Sequence, residues 1–176
     1  MVRYKGLGSR EALYESVLGT EHLNAFIGFF PGFPFLFPLD PRHAVMAPKY
    51  NPTRTWTPAG ALGLGGPCWA IYPVESAGGY QLVGRTLPIY DLASCNSAFA
   101  ESGLLMRAGD RVRFHRVEES ELIALWEDVY SDTCEYRIEE DLLDASAYSD
   151  WVAEVSSEAD ERRKLREQAE AEPPIP

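Results

Sequence analysis

Short apolar stretches punctuated by glycine and proline dominate the first two thirds of the chain. Between residues 41 and 117 no helical period of useful length occurs. Several stretches in this region are instead typical of β-strands: HAVMAP, ALGLG, CWAIYP, GYQLVG and RVRFHRV. The pattern therefore predicts an all-β core that is built as a barrel or a sandwich.

The N-terminal region combines one predicted helix with a phenylalanine-rich segment. Ser9 is suited to cap a helix over REALYESVL, and Gly19 follows where that helix would end. LNAFIGFF (residues 23–30) is apolar and has no capping residues, which predicts a buried strand. PGFPFLFP (31–38) contains three prolines, so we expect an ordered aromatic loop and not a regular central strand.

Helical patterns return after residue 117. SELIALWEDVY (120–130) predicts an amphipathic helix, and CEYRIEE (134–140) an edge strand or an extended link. From residue 146 we expect a second helix, whose apolar face fades and whose tail frays into PPIP. We therefore divide the chain into a domain over residues 1–140 and an acidic C-terminal helix with a frayed tail over residues 141–176.

Composition and charge narrow the classes of partner. The 176 residues are 45% hydrophobic and 24% charged, which excludes wholesale disorder. The net charge of −11 argues against nucleic acid, and no stretch approaches the roughly 20 apolar residues of a membrane helix. Residues 41–117 nevertheless hold 8 basic and 4 acidic residues, which suits an anionic small molecule or a carboxylate. The alternative is that these arginines pair with the acidic C-terminal third.

The sequence lacks the motifs that several common kinds of binding or catalytic site require. GALGLGG (60–66) is not followed by Lys-Ser/Thr, so it does not predict a phosphate loop. The three histidines are scattered and no Cys-x-x-Cys pair occurs, so we predict no metal site. No G-x-S-x-G elbow supports a Ser/His/Asp triad. Three widely spaced cysteines and an N-terminus without an apolar signal segment predict a reducing, cytoplasmic location.

Two polar stretches are candidate binding elements. Residues 40–55 place cationic and amide side chains among three prolines, which fix the backbone that presents them. In residues 76–86 the Gly78-Gly79 turn permits close approach. On the strand that follows, Gln81 and Arg85 are expected on one face, about 13 Å apart, and Tyr80 on the other. The alternative is a hairpin whose Gln81 and Arg85 only tie down neighbouring loops.

The same stretches carry a family resemblance. FFPGFPFL, PRHAVMAPKYNPTRTWTPAGALGLGG, IYPVESAGGYQLVGRT and GDRVRF occur in this order. They resemble the allophanate hydrolase subunit 1 (KipI-like) family and, more closely, the carboxyltransferase domain of biotin-dependent urea carboxylase. The resemblance runs from about residue 4 to residue 140. It implies a mainly β, cyclophilin-like closed β-barrel with flanking helices, present as the C-terminal portion and thus incomplete on its N-terminal side.

The resemblance also implies an activity. In urea carboxylase this domain accepts carboxybiotin and passes the carboxyl group to a small amide, urea. Biotin would be supplied by another domain or subunit, because this chain has no Met-Lys-Met biotinyl site. Within that framework we predict residues that bind the anion and residues that hydrogen-bond the substrate. Arg42, Lys49 or Arg54 would bind the anion, and Arg85 would complete this catalytic group by holding the loops or a carboxylate. The substrate-binding group is Tyr50, Asn51, Tyr80 and Gln81.

The resemblance also implies partner proteins, acceptor substrates and alternative functions. The chain is expected to be inactive alone and to work with biotin carboxylase and biotin carrier domains or with a KipA-like subunit. The acceptor would be urea, a guanidine-like amide or 5-oxoproline. One alternative is a KipI-like subunit of an allophanate hydrolase or 5-oxoprolinase complex. Others are a non-catalytic interaction subunit, a homo-oligomer, or a protein that binds an amide without turnover.

Overall fold

A computed structural model describes residues 7–171, so the predicted frayed end at 172–176 lies outside the described residues. Three helices are present: α1 (Arg10–Leu18), α2 (Glu119–Tyr130) and α3 (Ala145–Ala171). Single 3-10 turns occur at Pro41–His43 and Ser97–Phe99. The strands are β1 (His22–Ile27), β2 (Pro34–Pro38), β3 (Arg54–Thr57), β4 (Ala61–Gly65), β5 (Cys68–Ile71), β6 (Ser76–Gly78), β7 (Gln81–Arg85) and β8 (Arg111–Val112).

Six strands form one antiparallel sheet in the order β7-β4-β5-β2-β1-β8, and β3 pairs with β6 separately. The predicted mainly β fold with flanking helices is confirmed. The predicted closed barrel is wrong for residues 7–171, because the outer strands β7 and β8 do not pair with each other. What closes a barrel is the pairing of its first and last strands, and no local sequence pattern specifies that pairing.

The largest difference from prediction concerns the phenylalanine-rich segment. We expected a loop at residues 31–38, but β2 lies inside the sheet between β1 and β5. Pro34 and Pro38 are the first and last residues of β2, where a missing N–H interrupts little of the ladder. The residues between the two prolines keep their N–H groups, and Leu36 lies opposite Trp69 of β5. Prolines at strand ends are therefore compatible with a central strand.

Other segments form less strand than predicted. HAVMAP contributes a single bridge, between Ala47 and Gly66, and RVRFHRV is a strand only at Arg111–Val112. CEYRIEE has no regular secondary structure. An alternating pattern permits a strand, but the strand forms only where the fold brings a pairing partner alongside.

Two hydrophobic clusters cover the two faces of the large sheet. On one face, Leu13 and Val17 of α1 pack over a cluster that includes Leu36, Leu64 and Trp69. The other face, which we call the aromatic face, carries Phe33, Ala70, Tyr72 and Tyr80, with Phe35 and Phe37 packed against them. The predicted burial of the aromatic segment holds for Phe33, which is 2% exposed, but not for Phe29, which is 77% exposed.

The long C-terminal helix packs against the first 3-10 turn. Tyr148 Oη donates to the carbonyl of Leu39 at 2.7 Å, and Arg166 Nη2 donates to the carbonyl of Arg42 at 2.9 Å. Within residues 7–171, no helix combines the length and apolar character that crossing a membrane requires. The domain boundary at residue 140 stays a prediction.

His22 is a buried polar residue in this core. Its ring is fully buried and lies edge-on to the rings of Trp69 and Phe114. Neither ring nitrogen forms a well-aligned hydrogen bond with the described residues, although the backbone of Val112 and Thr20 lies near the ring and partly opposes the fall in its pKa. Burial, with a smaller contribution from His43, lowers the pKa of His22 to about 4. The imidazole is therefore neutral in the folded protein at neutral pH.

We expect the free energy of unfolding to fall by about 2 kcal/mol between pH 8 and pH 5 because of His22 alone. The unfolded histidine titrates near pH 6.5 and the folded one near 4, so the unfolded chain binds the proton first. The contribution of His22 to the free energy of unfolding is therefore fully present above pH 6.5, and it is lost as the pH falls toward 4. Urea unfolding at both pH values measures it. A His22→Gln variant that kept the same pH dependence would contradict the assignment.

Candidate functional site

The two polar stretches predicted from the sequence meet beside β7. The backbone N–H of Tyr50 donates to the carbonyl of Gly79 at 2.7 Å. The side chain of Gln81 donates through Nε2 to the carbonyl of Pro48 at 3.0 Å. The pairing of β3 with β6 places Arg54 opposite Gly78. Hydrogen bonds therefore hold part of residues 40–55 against residues 76–86.

Five of the eight predicted site residues lie at this junction: four contact one another, and Gln81 bonds the carbonyl of Pro48 beside them. The Nζ of Lys49 lies 5.3 Å from the centre of the Tyr80 ring, and the guanidinium of Arg54 lies 5.4 Å from the centre of the Tyr50 ring. Arg54 also donates through Nη1 to the carbonyl of Tyr80 at 2.7 Å. We call this group the Lys49 cluster; it consists of Lys49, Tyr50, Arg54, Tyr80 and Gln81.

The two cations of the cluster differ in how much of their hydrogen-bonding capacity remains. Arg54 is half-buried, and its Nη1 and Nη2 bond Tyr80 and Thr57, whereas its buried Nε has no partner among the described residues. The Lys49 ammonium forms no hydrogen bond or ion pair within residues 7–171. Lys49 therefore offers a positive charge to a ligand, while Arg54 mainly holds the backbone of Tyr80.

Tyr80 is the buried centre of the cluster and is 6% exposed. Its hydroxyl lies 3.3 Å from the thiol of Cys68. Burial, followed by this thiol, raises the pKa of Tyr80 well above its ordinary value. The phenol is therefore neutral at physiological pH, and its ring provides an electron-rich face to the ammonium of Lys49.

Arg42 lies against α3 and does not join the cluster. It donates through Nη2 to Asp40 at 2.7 Å and through Nη1 to Glu158 at 3.2 Å, and it lies 5.7 Å from the centre of the Trp151 ring. This is the pairing with the acidic C-terminal third that the sequence left open as an alternative. Asn51 is exposed in the same loop as Lys49, next to Tyr50.

Arg85 contacts α2. One residue of β7, Val83, has no direct partner in the register between β4 and β7. This bulge reverses the alternation along the strand, so the prediction that Gln81 and Arg85 share a face is wrong. Arg85 donates through Nε to the carbonyl of Ala59 at 3.2 Å, and its guanidinium lies 4.3 Å from the centre of the Trp126 ring.

Sequence reasoning missed Cys68 as a neighbour of Tyr80. The two residues lie on different elements, and a single cysteine carries no local signal of its contacts. Two cavities lie away from the cluster: one of about 180 Å³ lined by residues such as Ile71 and Phe114, and one of about 360 Å³ lined by residues such as Asn96 and Cys134. Within residues 7–171, no group of three or more His, Cys, Asp or Glu could hold a metal ion.

Comparison with known proteins gives the family. The family described as carboxyltransferase domain, subdomain C and D, matches residues 1–100. Urea amidolyase of Saccharomyces cerevisiae is 40% identical over 145 residues, which are 82% of this chain and 8% of that protein. The crystal structure of the Kluyveromyces lactis urea carboxylase matches with a TM-score of 0.80 and 29% identity, over 95% of this chain and 16% of that one.

A second group of relatives consists of 5-oxoprolinase subunits. The one from Escherichia coli O157:H7 is 36% identical over 107 residues, which are 60% of this chain and 45% of that protein. The chain thus spans less than half the length of each of these relatives. Since the family match covers more than half of its residues, the chain belongs to the family of carboxyltransferase domains, subdomains C and D.

Proposed function

We propose that this chain provides part of the carboxyltransferase domain of a biotin-dependent urea carboxylase, in which a carboxyl group is passed to a small amide such as urea. The observation that carries the proposal is the Lys49 cluster. It places an ammonium group without a partner among the described residues, a buried tyrosine and an amide side chain at one junction. The similarity to urea amidolyase and urea carboxylase supports urea as the acceptor.

Each residue of the cluster has a role in this proposal. Lys49 stabilises the anionic oxygen of the carboxyl group during transfer. Gln81 uses its Nε2 on Pro48, so its Oε1 remains to accept from an amide N–H of the substrate. The exposed side chains of Tyr50 and Asn51 offer further hydrogen bonds to the amide. Arg54 holds the backbone of Tyr80 and thereby the platform on which Lys49 lies.

The remaining two predicted residues have supporting roles in the proposal. Arg42 ties residues 40–43 to α3 through Glu158. Arg85 ties β7 to α2 through Trp126. Arg85 thus holds the strand that carries Gln81, and Arg42 holds the start of the segment that leads to Lys49. Both are proposed to act on the substrate through the Lys49 cluster.

Biotin fits the donor set of this site. When bound in its carboxylated form on a carrier domain, it would supply the activated carboxyl group. Lys49 would hold the carboxylate, because its charge has no counter-ion among the described residues. The half-exposed ring of Tyr50 would pack against the apolar part of the carrier arm. Biotin carboxylase and carrier domains are the partners that this chemistry requires.

A second candidate function is that of a subunit of 5-oxoprolinase, supported by the 36% identity to the Escherichia coli protein. That sequence similarity covers 60% of the chain, whereas the sequence similarity to urea amidolyase covers 82%. The structural similarity to urea carboxylase covers 95% of the chain and so includes the C-terminal helices. The wider coverage makes urea carboxylation the better-supported function.

Reconstitution tests the proposal. The full chain is combined with the remaining, N-terminal part of a urea carboxylase carboxyltransferase domain and with separately supplied biotin carboxylase and biotinylated carrier domains. ADP release is then followed with and without urea. We expect urea-dependent ATP turnover that requires the chain. Turnover that responds to 5-oxoproline and not to urea would favour the second candidate. Turnover that responds to neither amide, or that is unchanged when the chain is omitted, would contradict the proposed urea carboxylation.

A further inference from the structure

The ring of Tyr80 is held on one side by a glycine of the neighbouring strand. A Cβ atom added to Gly65 would meet the Cγ of Tyr80 at 2.6 Å, and the Cδ1 and Cε1 atoms closer still. A Cβ added to Gly63 would lie 2.9 Å from the Cβ of Tyr80. Real Cβ atoms do not approach other atoms so closely, so the ring occupies space that only glycine leaves free.

The phenol end of the same ring is held by Cys68, which is 5% exposed. Its Sγ lies 3.3 Å from the Tyr80 hydroxyl and 3.4 Å from the carbonyl of Gly65. The thiol thus bridges the tyrosine and the glycine that the ring covers. Both polar groups are buried, and each would lose a hydrogen-bonding partner if the other were removed.

The Lys49 ammonium lies over the ring of Tyr80, with 5.3 Å between Nζ and the ring centre. This distance is within the range at which a cation is attracted to an aromatic ring. Lys49 is exposed, and within the described residues its ammonium has neither a hydrogen bond nor an ion pair. The ring of Tyr80 is therefore the described group that attracts this charge to one place.

We propose that Gly65 and Cys68 are positioning residues for Lys49: they fix the ring of Tyr80, and the ring fixes the ammonium. The position of the Lys49 ammonium depends only on contacts within this chain, whereas its importance for carboxyl transfer rests on the proposed function. The two claims need separate measurements, one on the isolated chain and one on the reconstituted enzyme.

The placement is tested by nuclear magnetic resonance on the full chain. The sequence contains three lysines, Lys5, Lys49 and Lys164, so carbon-13 dimethylation of the lysines gives few signals. A Lys49→Arg variant identifies the Lys49 signal. The ring current of Tyr80 should shift that signal upfield from the signal of exposed Lys164. Replacing Tyr80 by leucine should abolish the shift.

Two glycine variants separate positioning from a general effect of alanine. Gly65→Ala displaces the ring, so the upfield shift of Lys49 should be lost. Gly84→Ala is the matched control on β7, because a Cβ there meets no atom within 4 Å and no positive φ is involved, and it should leave the shift unchanged. An unshifted Lys49 signal in the wild type, or a full shift in folded Gly65→Ala, would overturn the inference.

The cysteine gives a second test that does not depend on whether Gly65→Ala folds. Cys68→Ala should reduce the Lys49 shift, and Cys68→Ser should restore it, because the hydroxyl again bonds Tyr80. In the reconstituted enzyme, Cys68→Ala should lower kcat more than it raises the KM for urea, and Cys68→Ser should recover kcat. An equal Lys49 shift in wild type and Cys68→Ala would overturn the role of the thiol. If Cys68→Ala lost the Lys49 shift but kept the urea turnover of the wild type, the role of Cys68 in placing the ammonium would stand. The proposed function of Lys49 in carboxyl transfer would then be contradicted.

Discussion

Replacing Lys49 by methionine should lower the kcat of urea carboxylation by about 100- to 1000-fold, the loss typical of removing one donor that stabilises a developing oxyanion. Methionine keeps an unbranched, apolar side chain of similar length and removes only the charge and its N–H donors. Because the Lys49 ammonium has no partner among the described residues, no buried group loses a bond in the variant. The melting temperature should therefore stay close to that of the wild type.

Lys164→Met is the matched control for this experiment. Lys164 is exposed on α3, outside the Lys49 cluster, and the same change there should leave kcat unaltered. ADP release in the reconstituted enzyme measures both variants. If Lys49→Met lost no more activity than Lys164→Met, Lys49 would have no part in the reaction.

Replacing Leu36 by alanine should lower the free energy of unfolding by about 2 to 5 kcal/mol, because it removes a buried side chain and leaves a cavity. Leu36 is 0% exposed and lies opposite Trp69. It belongs to β2, between β1 and β5, so its neighbours are fixed on both sides and the site has little freedom to collapse. Denaturant unfolding measures the loss.

Leu142 provides the matched control for the core variant. It is 95% exposed, so Leu142→Ala should change the free energy of unfolding by less than about 0.5 kcal/mol. Equal effects of the two variants would contradict the central position of β2 and would favour the loop that the prolines of this segment predict.

The elements that the sequence predicts well are those with local determinants. The Ser9 cap is an example: its hydroxyl accepts from the N–H of Ala12 at 3.1 Å, and α1 begins at the following residue. The strand pattern of ALGLG and CWAIYP is equally local, and the two segments pair as β4 and β5. Proline at the ends of β2 misled the prediction, because a proline limits a strand only where its N–H is needed.

Other features depend on contacts between distant parts of the chain. The bulge at Val83 arises from how β7 pairs with β4, and ideal alternation cannot anticipate it. Closure of the barrel likewise depends on which strands meet at the edges of the sheet. These are properties of pairing partners, whereas a sequence pattern describes one strand at a time.

The candidate site also combines features that local sequence predicts with contacts between distant segments that it does not predict. The proline- and glycine-rich stretches indicated the two loops that meet, and five of the eight predicted residues lie together there. The acidic C-terminal third of the chain indicated that arginines such as Arg42 could pair with it instead of binding a ligand. Arg42 does pair with Glu158. Nothing in the sequence indicated that Trp126 would cover Arg85 or that Cys68 would bond Tyr80, because these contacts join separate elements.

The central claim is that Lys49 and Tyr80 act as one unit in carboxyl transfer, and a double-mutant cycle tests it most directly. The kcat for urea is measured in the reconstituted enzyme for the wild type, Lys49→Met, Tyr80→Leu and the double variant. If the ring acts by placing the ammonium, the double variant should lose about as much activity as Lys49→Met alone. Losses that multiply would mean that the two residues act independently and would contradict the account.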